Sequence, residues 1–110
     1  MNNHVEALQI ARELLVKGWT KGAYARAADN TPVSFANKDA FGWCMVGACY
    51  KANGLLNIRF LECNGLQYLW KAVKLGNEPE LTHWNDAPGR TLDDVLAVYD
   101  KAIELAIGEE

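Results

Sequence analysis

Apolar residues recur at helical spacing through two long stretches, one near each end of the chain. Val5, Leu8, Ala11, Leu14 and Leu15 fall on one stripe, predicting a helix from about His4 to Lys17. Gly18 stands where a left-handed C-cap would end it. Leu92, Val95, Leu96, Tyr99, Ala102, Ile103 and Ala106 keep the same period from Thr91 to about Ile107. Between these stretches the pattern is less regular. Residues Asp39 to Asn53, with Gly54 as the cap, are apolar nearly all round and read as a central, buried helix. Phe41, Cys44, Ala48 and Ala52 lie on one side of it, and Trp43, Val46 and Tyr50 on another. Gly42 and Gly47 would each weaken such a helix by up to ~1 kcal/mol relative to Ala, so their expected use is close approach of another backbone. A third helix, about Asn57 to Leu75, rests on Ile58, Leu61, Leu66, Leu69, Trp70 and Val73, and Asn64-Gly65 is a break signal inside it.

Residues 19–38 carry no helical period. Gly22, Asp29-Asn30 and Pro32 mark turns, and Tyr24–Ala27 can pair with Pro32–Ser34 as a short hairpin around Asp29-Asn30-Thr31. A loop this long in a small domain is more often a working part than filler. The expected fold class is therefore all-α: one domain over residues 1–110 with about four helices, and a long loop with a small hairpin at 19–38.

Composition narrows the class. Half of the 110 residues are hydrophobic, with four Trp, four Tyr and three Phe, enough for one core without metal or disulfide staples. No stretch has the length of a membrane span, and Met1–Glu6 has neither the basic flank nor the apolar core of a signal peptide. Three cysteines in that context point to reduced thiols and a cytoplasmic location. The net charge of −3 divides into +4 over residues 1–76 and −7 over 77–110. That ending does not fit a duplex-DNA binder, which needs clustered Lys and Arg, and it reads as a solvated face.

Candidate chemistry concentrates in two segments. Cys44 lies in the apolar run Phe41–Cys49, and Trp84-Asn85-Asp86-Ala87-Pro88-Gly89-Arg90-Thr91 is a polar turn with His83 just before it. Pro88-Gly89 suits the centre of a type II turn, while Thr91 and Asp94 suit a capping box on the last helix. Asp93 and Asp94 already neutralise that helix start, which argues against a phosphate-binding loop. Asn85, Asp86 and Arg90 either form a ligand site or lock the loop, with Asp86 closing an Asx turn and pairing with Arg90. Cys44, His83 and Asn85 or Asp86 are also the residue types of a cysteine hydrolase or transferase, as nucleophile, base and orienting group. Against this, Cys44 would lie some five residues into its helix, beyond the reach of the dipole, among apolar neighbours that raise a thiol pKa. The spacing of Cys44, Cys49, Cys63 and His83 does not suit zinc, and no metal or cofactor is expected. His4, at the start of the first helix, is expected to be solvated.

Together, Gly18–Arg26, Trp43–Ala48 and Trp84–Thr91 resemble a family of short uncharacterised proteins from bacteria and their phages, over nearly the whole chain. The resemblance implies that the family's marked positions fall on Gly22, Tyr24, Arg26, Cys44, Gly47, Ala48, Asn85, Asp86, Gly89, Arg90 and Thr91. His83 is not among them, which weakens a Cys44–His83 dyad and makes Tyr24, Arg26, Asn85, Asp86 and Arg90 the better candidate surface. The resulting expectation is a non-enzymatic module that binds a protein partner through the 19–38 loop and the 84–91 turn, with no role for nucleic acid or membrane. The resemblance leaves a phage–host role open by analogy.

Overall fold

Residues 3–56, 63–74 and 78–109 are described by a computed structural model of the chain. The order of elements is α1 (Asn3–Lys17), β1 (Ala25–Ala27), β2 (Pro32–Val33), β3 (Ala40–Trp43), α2 (Met45–Leu55), α3 (Leu66–Val73), α4 (Glu78–Asp86) and α5 (Leu92–Gly108). Among the described residues, five helices accompany a three-stranded antiparallel sheet of order β2-β1-β3, so the fold is mixed rather than all-α with four helices.

The two stripes seen in the sequence become α1 and α5. Ala7, Leu8, Ala11 and Leu15 of α1 are buried, as are Val95, Val98, Tyr99, Ala102 and Ala106 of α5. The two helices pack against each other, with α2 against α1 and α3 against α5. α2 is the most enclosed helix, with Met45, Val46, Gly47, Ala48, Cys49, Ala52 and Asn53 all buried. The Tyr99 hydroxyl donates to Met45 O, joining α5 to the first turn of α2. Burial of Leu8, Leu15, Met45 and Leu69 stabilises the core by about 1.5–3 kcal/mol each.

The hairpin forms around Asp29-Asn30-Thr31: Ala25 pairs with Val33 and Arg26 with Pro32. Asn30 takes the left-handed conformation (φ 73°), and Thr31 N donates to Asp29 Oδ1 at 3.0 Å. The helix expected from Asp39 begins only at Met45, and the residues before it are not helical. Ala40–Trp43 instead pairs with β1 as strand β3, with Ala25 opposite Trp43 and Arg26 opposite Gly42. On its other side β3 meets the residues after α1: Trp43 N donates to Gly18 O at 2.9 Å, and Thr20 N to Trp43 O at 3.0 Å. An apolar run of this length satisfies a buried strand as well as a helix, and the two backbones flanking it decide. Gly18 belongs to that contact. Its φ is not positive, and a Cβ there would lie 2.2 Å from Phe41 O, so it makes room for β3 rather than forming a left-handed cap.

Three further expectations change. α3 starts only at Leu66, because Gly65 has a φ of 95° and breaks the longer helix there; Ile58, Leu61 and Leu75 lie outside the described residues. The polar segment before Pro88 is helical through Asp86, so Trp84, Asn85 and Asp86 belong to α4. His4 is not simply solvated: its Nδ1 accepts from Gly65 N at 2.9 Å, and its ring meets Tyr68 edge-on at 5.1 Å.

Candidate functional site

The last turn of α4 faces the strap that runs from α1 to β1, and Asn85 sits between them. Asn85 is fully buried. Its Oδ1 accepts from Trp19 Nε1 at 2.8 Å and from Met45 N at 3.1 Å. Its Nδ2 donates to Thr20 O at 3.1 Å and to Asp86 Oδ1 at 2.9 Å. One side chain therefore ties the strap, the start of α2 and the end of α4, using both donor hydrogens and both acceptor lone pairs. Burying a polar group costs free energy unless it is hydrogen-bonded, and here the amide is fully bonded.

Neighbouring polar groups extend the same junction. Asp86 Oδ1 also accepts from Gly22 N at 2.9 Å, and Gly22 is left-handed with a φ of 78°. Lys21 Nζ donates to Ala87 O at 3.0 Å. Arg26 closes the strap on itself: Nε and Nη2 donate to Lys21 O at 3.3 and 3.1 Å, and Nη1 to Asn30 O at 3.0 Å. Arg90 Nε donates to Trp84 O at 2.8 Å, and its guanidinium carbon lies 3.7 Å from the Trp84 ring centroid. The expected Asp86–Arg90 pair is thus replaced by Asp86 on Gly22 and Arg90 stacked on Trp84, a cation–π arrangement. Past α4 the Pro88-Gly89 turn forms, with Gly89 at φ 80° and Arg90 N donating to Ala87 O at 3.0 Å. Thr91 and Asp94 then close both bonds of the capping box.

Between the strap and α4 lies an open cleft of about 280 Å³, lined by Gly22, Ala23, Tyr24, Cys44, Thr82 and Asp86. Tyr24, 43% exposed, stands at its rim and leans toward Tyr50 with ring centroids 6.2 Å apart. Gly47 lets the Tyr24 backbone lie against α2, since a Cβ there would lie 2.0 Å from Tyr24 O. Thr82 was missed by sequence reasoning because α4 was not anticipated. It stands four residues before Asp86, so a helix brings the two to one face.

Cys44 is not inside a helix. It is the N-cap residue of α2, in extended conformation, and its Sγ accepts from Gly47 N at 3.3 Å. Helix N-termini lower thiol pKa values. Burial overrides that here: with 2% of its surface exposed, the thiol is pushed up to about 11, against smaller downward pulls from the Gly47 and Val46 backbone donors. The Asp86 charge raises it further. His83 is exposed and does not line the cleft. The structure therefore brings Cys44 and Asp86 together and leaves His83 apart. A carboxylate beside a buried thiol disfavours the thiolate, the opposite of nucleophile activation.

Of the five residues assigned to a binding surface, Asn85 and Arg26 are engaged in internal hydrogen bonds and Arg90 is stacked on Trp84. Tyr24 and Asp86 both line the cleft and are exposed. Among the described residues, no group of three or more His, Cys, Asp or Glu is placed to hold a metal ion. Among them, no helix is long and apolar enough to cross a membrane.

Fold and site together define a small helix-rich protein with a hairpin-based sheet and a cleft braced by one buried asparagine. The chain belongs to the family described as a family of unknown function (DUF6197), whose model matches residues 2–105. No curated protein and no solved structure matches the chain.

Proposed function

We propose that the protein is a non-enzymatic binding module, and that the cleft between residues 22–24 and the end of α4 receives a basic side chain of a protein partner. The observation that supports this reading is the division of labour among the polar residues. Asn85, Arg26 and Lys21 fix the walls, while Tyr24 and Asp86 stay exposed on the cleft with an aromatic face and a carboxylate. A carboxylate with one oxygen held by Gly22 N and Asn85 Nδ2 is a preorganised acceptor for Lys or Arg. A rigid aromatic beside it adds contact area at small entropic cost. The Cys44 thiol lining the cleft is held neutral, which suits recognition better than covalent catalysis.

The test is affinity capture from the native host, followed by titration of the purified partner against Asp86→Asn and Tyr24→Ala. Both substitutions leave the backbone bonds of the strap available, so wild-type unfolding midpoints are expected with binding weakened at least ~10-fold, about 1.4 kcal/mol. A partner that binds both variants as tightly as wild type overturns the reading.

A further inference from the structure

A second cluster lies away from the cleft, where α2 meets the residues before α3. Cys49 Sγ and Cys63 Sγ are 3.6 Å apart, and both thiols are free. Their approach is held by a clasp of two buried asparagines. Asn53 Nδ2 donates to Cys49 O at 2.8 Å and to Asn64 O at 3.1 Å, and its Oδ1 accepts from Asn64 N at 2.9 Å and Asn64 Nδ2 at 3.2 Å. The clasp fixes the backbone of residue 64 against α2, and so fixes one sulfur against the other. The Cys49 thiol also donates to Asn64 O at 3.3 Å.

The two sulfurs differ in access. Cys49 is fully buried, whereas Cys63 is half-buried and lines an open cavity of about 360 Å³ with His4, Leu66, Gln67 and Trp70. A disulfide has an S–S length of about 2.05 Å, so closure needs about 1.6 Å, within reach of a side-chain rotation at Cys63, which precedes α3 and is free of helical constraint.

We propose that Cys49 and Cys63 are a peroxide-responsive thiol pair that forms a reversible intramolecular disulfide. The Cys63 thiolate attacks one oxygen of a hydroperoxide entering through the cavity; the O–O bond breaks, giving the Cys63 sulfenic acid and hydroxide (or, from an organic hydroperoxide, an alkoxide that takes a proton from water to leave as the alcohol). The Cys49 sulfur then attacks the Cys63 sulfur, the S–O bond breaks, and the Cys49 proton leaves with the hydroxide as water. Two thiols are oxidised by two electrons and one peroxide is reduced. Cys49, fully buried behind the half-buried Cys63, is the resolving thiol. The crosslink joins residues 14 apart in sequence and ties α2 to the start of α3, restricting the unfolded chain.

The experiment treats the reduced full chain with hydrogen peroxide, removes the excess, and applies intact mass and non-reducing peptide mapping, with thermal unfolding alongside. The expected product is lighter by two hydrogen atoms, links the Cys49 and Cys63 peptides within one chain, reverts with dithiothreitol and melts at least ~5 °C higher. Cys49→Ala is expected to leave Cys63 as a sulfenic acid that dimedone traps, and Cys63→Ala to abolish the mass change. The wild-type map is decisive even where a variant folds poorly. Oxidation of wild type to Cys63 sulfinic acid without the crosslink, or to a disulfide between two chains, overturns the proposal.

Discussion

Replacing Asn85 by Ala separates a scaffold role from a ligand-contact role. The substitution removes the partner of Trp19 Nε1, Met45 N and Thr20 O at once. Left unpaired and buried, such a group costs about 1–3 kcal/mol, and water reaching the half-buried Trp19 and Thr20 lowers their share, so the expected loss is about 3–5 kcal/mol. Against a typical total of about 5–15 kcal/mol this is a large fraction, well beyond the usual effect of a surface change. Asn85→Asp refines the test, because it keeps the acceptor but puts a second carboxylate where Nδ2 now donates to Asp86 Oδ1 at 2.9 Å. Burial and the neighbouring charge raise the folded pKa of the introduced carboxyl above its unfolded value of about 3.9. Its neutral form is therefore the one the fold accepts, and the deficit should be smallest at acid pH and grow as pH rises toward neutrality. Urea unfolding followed by tryptophan fluorescence at pH 4 and pH 7 reads both effects. An Asn85→Ala variant within about 1 kcal/mol of wild type would refute the reasoning and return Asn85 to the binding surface.

Two further outcomes follow from particular positions. Gly47→Ala should destabilise by about 3 kcal/mol or more, since its Cβ would meet the Tyr24 carbonyl oxygen at 2.0 Å and backbone must move, whereas Gly54→Ala on the same helix meets nothing within 4 Å and should stabilise by about 0.5–1 kcal/mol; thermal melts of the pair decide it. The Cys44 thiol, raised from 9.0 to about 11 on folding, contributes stability that is fully present below pH 9.0 and is lost as pH rises through about 11. That rise is worth about 3 kcal/mol, so the urea midpoint should fall between pH 8 and pH 11, and fall less in Cys44→Ala; equal pH dependence in the two proteins counts against the burial argument.

The parts of the fold legible in the sequence are those whose local signal needed no distant partner. α1 and α5 are read from their stripes, the β1–β2 hairpin from Asp29-Asn30 and Pro32, and the α5 start from Thr91 and Asp94. β3 was hidden because Phe41-Gly42-Trp43 satisfies either period, and its strand state comes from pairing with residues 18 and 25–27, remote in sequence. α4 was hidden for a different reason. Its inward residues include Leu81 and the wholly buried Asn85, so one core position carries an amide and the apolar stripe is interrupted. A buried asparagine is invisible to hydropathy, because only its four partners make the site acceptable.

The same physics separates the candidate surface into two sets of residues. Positions picked for polarity alone divide according to whether the fold takes them into its interior or leaves them exposed at the cleft. Arg26 finds Lys21 O and Asn30 O, Asn85 finds the strap and α2, and Arg90 finds the Trp84 ring. Gly22 is required at φ 78° so that its N–H reaches Asp86, and Gly47 is required so that Tyr24 O can sit on α2. These residues are consumed in holding two loops at a fixed separation. Tyr24 contributes its backbone to that task, through Cys44 N donating to Tyr24 O at 3.1 Å, but leaves its ring at the cleft. Asp86 likewise commits one oxygen to Gly22 and Asn85 while the residue remains exposed. A motif that is polar in sequence is therefore mostly scaffold in space. Under the reading we propose, contact with another molecule falls to an aromatic ring and a carboxylate lining one cleft, so substitutions at those two side chains, rather than at the arginines, are the ones that test binding apart from stability.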